Sequence, residues 1–81
     1  MNNTKPIESN GNTRIPDYFK DGVMGEAKSV KKLSFTQQLR DMFDYAVNNN
    51  LKMFLKIERW TQLSGPLKEA IQRYGVYVNV F

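Results

Sequence analysis

Apolar and polar residues change rhythm several times along the chain, and each change predicts an element. "RIPDYF" and "VMGEAKSV" flank Asp21-Gly22, the dipeptide most typical of a tight two-residue turn, so they read as an antiparallel hairpin. In "LSFTQQLRDMFDYAVNNN", Phe35, Leu39, Met42, Phe43, Ala46 and Val47 recur at helical spacing, an amphipathic helix closed by a run of asparagines. Ser34 followed three residues later by Gln37 has the form of a capping box and predicts that this helix starts at Ser34. "LKMFLKIE" alternates Leu51, Met53, Leu55 and Ile57, a strand with one face buried. "SGPLKEAIQRYG" reads as a shorter helix, with Ser64 as cap, Pro66 in the first turn and Gly75 just past the end. "VYVNVF" closes with Val76, Val78 and Val80 on one face of a last strand. The order is ββαβαβ, and the predicted fold class is α/β in the α+β sense: a mixed sheet with helices packed on it.

Residues 1–13, "MNNTKPIESNGNT", are polar and nearly free of large apolar groups, which predicts a disordered tail or linker ahead of a domain spanning residues 14–81. A chain of 81 residues holds one domain at most, and a small, marginally stable one. Two absences narrow the chemistry. Without cysteine there is neither a disulfide framework nor a thiolate metal site. Without histidine the zinc proteases, the histidine-based nucleases and every Ser-His or Cys-His nucleophile are excluded. Reactions must then run on carboxylates, lysine, arginine, glutamine or hydroxyls. Twelve Lys+Arg against eight Asp+Glu give a net charge of +4, which mildly favours a polyanionic partner. No apolar run approaches a membrane span and no apolar signal segment opens the chain, so it is expected to be soluble and to carry no anchor of its own.

The hairpin is where the charges become informative. A two-residue turn at Asp21-Gly22 sets Lys20 opposite Val23, Phe19 opposite Met24, Tyr18 opposite Gly25 and Asp17 opposite Glu26. Like charges in that cross-strand position are destabilising unless something neutralises them, and a divalent cation held between them would do so. Lys28, two residues beyond Glu26, shares its face of the strand. An ordinary ion cluster would use the same residues, with Lys28 neutralising the pair as a structural salt bridge. Gln37 has a structural role in the capping box, whereas Gln38 lies beside the buried stripe, where its amide is expected at the edge of the sheet face, a solvent-facing glutamine fitting the pattern equally well.

Asp17, then Glu26-x-Lys28, then Gln38 in the first turns of the next helix is the pattern of the PD-(D/E)xK nucleases. More closely, "GEAKSVKKLSFTQQLRDMFDYA", "NNLKMFLKI" and "TQLSGPLKEAI" resemble the restriction-endonuclease-like toxin domains, the Tox-REase group, at the C-terminal tips of bacterial polymorphic toxins. The resemblance runs from about Arg14 to Phe81. It implies a compact restriction-endonuclease-like core and a DNase in which Asp17 and Glu26 hold Mg2+, with Mn2+ as a substitute. It further implies that Lys28 orients or activates the attacking water and that Gln38 supports lysine and water. It also implies delivery as part of a larger secreted toxin, action in the cytoplasm of a target bacterial cell, and a cognate immunity protein. One departure stands out: such folds open with a helix that often carries another acidic ligand, and residues 1–13 do not read as one. The opening helix is therefore expected to be missing, and a fragment binding metal more weakly than its parent stays an open reading.

Magnesium commonly takes one or two protein carboxylates and fills its shell with water and phosphate, which Asp17 and Glu26 suit. Lys31 and Lys32, between the catalytic strand and the helix, are candidate DNA contacts, as are Ser34 and Thr36 at the helix start and Arg40 one step on. A solvated basic surface explains the same five residues. Phe35, Phe43, Tyr45 and Phe54 fall at core spacing, while Trp60 and Tyr74 are candidates for a partner surface, and an acidic immunity protein would fit over a basic active-site face. Two other functions use the same residues: a catalytically silent nucleic-acid- or partner-binding remnant of the fold, and a small α/β domain with a purely structural ion cluster.

Overall fold

The computed structural model describes residues 4–80. Its centre is a four-stranded sheet of β3 (Tyr18–Lys20), β4 (Val23–Lys28), β6 (Lys52–Ile57) and β8 (Tyr77–Val80), side by side in that order. β3 and β4 form the antiparallel hairpin, and β4, β6 and β8 run parallel. Parallel neighbours need crossovers, supplied by α1 (Gln37–Asn48) between β4 and β6 and α2 (Gly65–Tyr74) between β6 and β8. Both crossovers step in the same direction, so right-handed connections bring both helices to one face of the sheet. The core lies there: Met24 from β4, Met53, Leu55 and Ile57 from β6, Leu39, Met42, Phe43 and Ala46 from α1, and Leu67 and Ala70 from α2 are all buried. The mixed sheet with its packed helices agrees with the expected fold class.

On the opposite face, Phe54 lies flat over Gly25, where an added Cβ would come within 2.0 Å of the ring, and Tyr18 packs beside it with ring centroids 5.9 Å apart. Gly25 is the only residue type that lets this ring close on the strand carrying Glu26.

The start of the described chain departs from the sequence reading. Residues expected to form a tail fold into a second hairpin, β1 (Ile7–Ser9) and β2 (Asn12–Arg14), around Asn10-Gly11. Both turn residues have positive φ, 54° and 78°, as do Asp21 and Gly22 at 54° and 77°. The two hairpins thus share one left-handed turn type, which Asn-Gly and Asp-Gly favour. Ile7 is buried in the core. The polar side chains find a polar destination: Asn10, Asn12 and Arg14 donate to the carboxylate of Asp41 on α1 at 2.9, 3.0 and 2.9 Å. Asn10 also reaches Asp44 at 2.8 Å. No opening helix is present among the described residues.

Three smaller corrections follow. The cap of α1 is Thr36, whose hydroxyl accepts from the Leu39 amide, and Ser34 instead accepts the Thr36 amide through its carbonyl. Gln37 is therefore the first helical residue, and its side chain donates to Asp41 one turn on at 2.7 Å. Val78 and Val80 share a face with Leu55 and Ile57 but stay 37% and 58% exposed, because β8 is the edge of the sheet; of the predicted stripe Val76 alone is buried. A two-residue parallel ladder, β5 (Lys32–Leu33) with β7 (Gln62–Leu63), was not legible in the pattern. α2 agrees with its reading, with Ser64 as cap and Gly75 left-handed past its end.

Candidate active site

β4 carries the site. Met24, Glu26 and Lys28 alternate onto the helix-covered face, in register with Met53, Leu55 and Ile57 of β6. Met24 takes part in the core, and Glu26 is buried at the point where the core ends. Lys28, the last residue of β4, is half-buried and closes the row.

Glu26 draws the rest together. One of its oxygens accepts the Asp17 backbone amide at 3.1 Å, and the other lies 3.4 Å from the Lys28 ammonium and 3.4 Å from the Gln38 amide nitrogen. Lys28 Nζ donates to Gln38 Oε1 at 2.9 Å, so glutamate, lysine and glutamine form a closed triangle. Asp17 lies one residue beyond the last paired position of the hairpin, Tyr18 with Gly25. Side chains continue the ladder there: Asp17 Oδ2 accepts the Ala27 amide at 2.9 Å while the Asp17 amide is held by Glu26. The structure thus brings together all four residues singled out in the sequence, Asp17, Glu26, Lys28 and Gln38.

Burial pushes the Glu26 carboxyl above its ordinary value, and the Asp17 charge adds to the rise; the Asp17 amide and Lys28 oppose it without cancelling it. The carboxylate is left short of positive charge. Asp17 Oδ1 has no hydrogen-bond donor among the described residues, so a hard cation would find a free oxygen there beside the under-neutralised Glu26. This donor set fits magnesium, which is satisfied by one or two carboxylates. Among the described residues no group of three or more acidic, histidine or cysteine side chains is placed to hold a metal.

The candidate DNA contacts divide. Lys31, Lys32 and Ser34 are exposed along a trough bounded by β5 and β7. Thr36 spends its hydroxyl on the helix cap, and Arg40 lays its guanidinium 4.6 Å from the centroid of the Phe35 ring. Tyr74 is half-buried: it packs on Phe35 and Phe43 and donates its hydroxyl to Asp44. Trp60 and Gln62 stand on the trough wall with the lysines, and only the spatial pairing of β5 with β7 reveals that association. The buried Asp41 was also missed, although Gln37 and Asp41 at helical spacing were a signal for it.

A mixed sheet with two helices on one face and a carboxylate-bearing central strand is consistent with a restriction-endonuclease fold. Over residues 1–67 the chain matches the family described as restriction endonuclease fold toxin 7, Tox-REase-7, and it belongs to that family. The matched span includes the first hairpin as well as the site. No curated protein and no solved structure matches the chain.

Proposed function

We propose that this toxin-family domain is a metal-dependent endonuclease that hydrolyses DNA phosphodiester bonds, with Asp17, Glu26, Lys28 and Gln38 as its active site. The observation that carries the reading is the closed triangle of Glu26, Lys28 and Gln38 beside Asp17, at the open end of β4. Magnesium, when bound by Asp17 and Glu26, supplies polarisation of the phosphodiester and a water of lowered pKa. The chain's own residues do the rest. Lys28, fixed by its bond to Gln38 Oε1, presents an ammonium that stabilises charge developing on the phosphate oxygens. Gln38 holds that ammonium in place and bridges it to Glu26. Burial and the neighbouring Asp17 charge both disfavour a bare Glu26 carboxylate, a penalty that a bound cation would relieve.

The family supports a toxin delivered into a target bacterial cell and held in check by an immunity protein, and no helix among the described residues is long and apolar enough to cross a membrane. Plasmid cleavage by the full chain, in magnesium and in EDTA, tests the reading. Nicking should require magnesium and fall at least ~10²-fold in Lys28→Ala and Glu26→Ala proteins that remain folded by circular dichroism. A second reading, a catalytically silent nucleic-acid binder of the same fold, draws on the pairing of only two carboxylates at the site. It predicts DNA binding that survives Lys28→Ala and no cleavage by the parent.

A further inference from the structure

Three residues past Lys28 the chain enters the trough. Lys31, Lys32, Trp60 and Gln62 line a depression of about 370 Å³. Lys32, Leu33, Ser34, Gln62, Leu63 and Ser64 line another of about 400 Å³. Lys32 and Gln62 belong to both, so the two adjoin. Resting on the nuclease reading above, we propose that this trough is the strand-binding subsite of the active site: Trp60 stacks one unpaired DNA base while Lys31 and Lys32 hold the neighbouring phosphates.

Trp60 is the chain's single tryptophan and is 54% exposed, on the segment joining β6 to β7. It is not packing material. The segments that carry the indole and the lysines are tied together, because Gln62 N donates to the Lys31 carbonyl at 2.8 Å and Thr61 Oγ1 to the Val30 carbonyl at 2.7 Å. Lys32 and Gln62 are then paired directly across the ladder. Lys31 and Lys32 have no ion pair among the described residues, and the Gln62 side chain has no hydrogen-bond partner there. Two uncommitted ammonium groups, an exposed aromatic plane and a free amide side by side are the recognition chemistry of a single strand: phosphates, a base face and a base edge.

Position along the strand agrees. Three residues of extended chain span about 10 Å at most. A nucleic-acid strand advances about 3.4 Å per nucleotide along a duplex axis. The backbone at Lys31 therefore lies within a few nucleotide lengths of the backbone at Lys28. A paired base inside a duplex has both faces covered by its neighbours, so an indole can stack only on a base that is unpaired, frayed or displaced. The subsite accordingly selects single-stranded or locally opened DNA.

The lone tryptophan makes the test direct, and EDTA separates it from cleavage. Emission of the full chain is followed in EDTA while oligothymidylate, its duplex with oligoadenylate, or an abasic strand of equal length is added. Quenching by the single strand, and by neither of the others, is expected. Trp60→Ala should weaken anisotropy-measured binding of a labelled strand about 5- to 150-fold, with Trp60→Phe retaining most of it. The double change of Lys31 and Lys32 to alanine should flatten the slope of log affinity against log salt by about 1.4. Single-strand binding without a change in emission, equal quenching by duplex, or unaltered binding by a folded Trp60→Ala chain would each overturn the subsite. Cleavage in magnesium without quenching would remove the subsite and leave the nuclease; quenching with no cleavage would do the reverse.

Discussion

Glu26 on β4 and Asp41 on α1 are both buried carboxylates in a small domain, yet the fold serves them in opposite ways. Asp41 receives four side-chain donors, Asn10, Asn12, Arg14 and Gln37, at 2.7 to 3.0 Å. Burial by itself would raise its pKa, but the four donors prevail and hold the carboxyl well below the usual range. Glu26 has one backbone amide, two contacts at 3.4 Å and a second carboxylate beside it, and its pKa is raised. A carboxylate whose charge is fully answered by the protein is a fastener. One left under-answered next to a like charge is where the proposed cation would bind.

That contrast can be broken most severely at Asp41. Asp41→Ala strands Arg14 and three amide donors around a void, and should destabilise the chain by about 3–5 kcal/mol in urea unfolding. Such a loss is a large part of what a domain of this size has to spare. Glu26→Gln, which removes an uncomfortable charge, should leave stability unchanged or raised while abolishing cleavage.

The pH dependence sharpens the comparison because the two signs differ. Asp41, with its folded pKa below the reference value of 3.8, contributes stability that is complete above that value and is lost as pH falls toward the folded pKa. Glu26, with its folded pKa above the reference value of 4.5, binds its proton more tightly folded than unfolded, so its contribution declines as pH rises from about that value. In metal-free urea melts, the deficit of Asp41→Asn should shrink as pH falls below 3.8. The advantage of Glu26→Gln should instead appear only above the reference pKa and then level off. A common sign for both variants would refute the assignment of roles. A smaller effect should follow at Tyr74, whose pKa is raised by its bond to Asp44 and then by burial. Tyr74→Phe should cost about 1 kcal/mol in the same assay and leave cleavage untouched.

The candidate site was more legible than part of the scaffold. The placing of Asp17, Glu26 and Lys28 follows from rules local to a hairpin, since a turn dipeptide fixes register and period two fixes the face, whereas Gln38 joined them only through the family resemblance. The hairpin of β1 and β2 was missed because hydrophobic periodicity was the criterion, whereas Asn10, Asn12 and Arg14 are anchored by a buried carboxylate twenty-seven to thirty-one residues away. The turn chemistry at Asn10-Gly11 was as plain as at Asp21-Gly22, but only one large apolar residue, Ile7, accompanied it. The trough escaped for a related reason, since a two-residue ladder joining Lys32 to Gln62 has no periodicity to read.

Asn10 reaches Asp41 and Asp44 together, and Asp44 in turn accepts the Tyr74 hydroxyl, so a single turn residue ties the first hairpin to both helices. The amides of β1 and β2 should then not exchange with deuterium at the rate of a loose polar end. They should open with the helical layer as one cooperative unit, at a common free energy that falls for all of them when Asn10 is replaced by glycine.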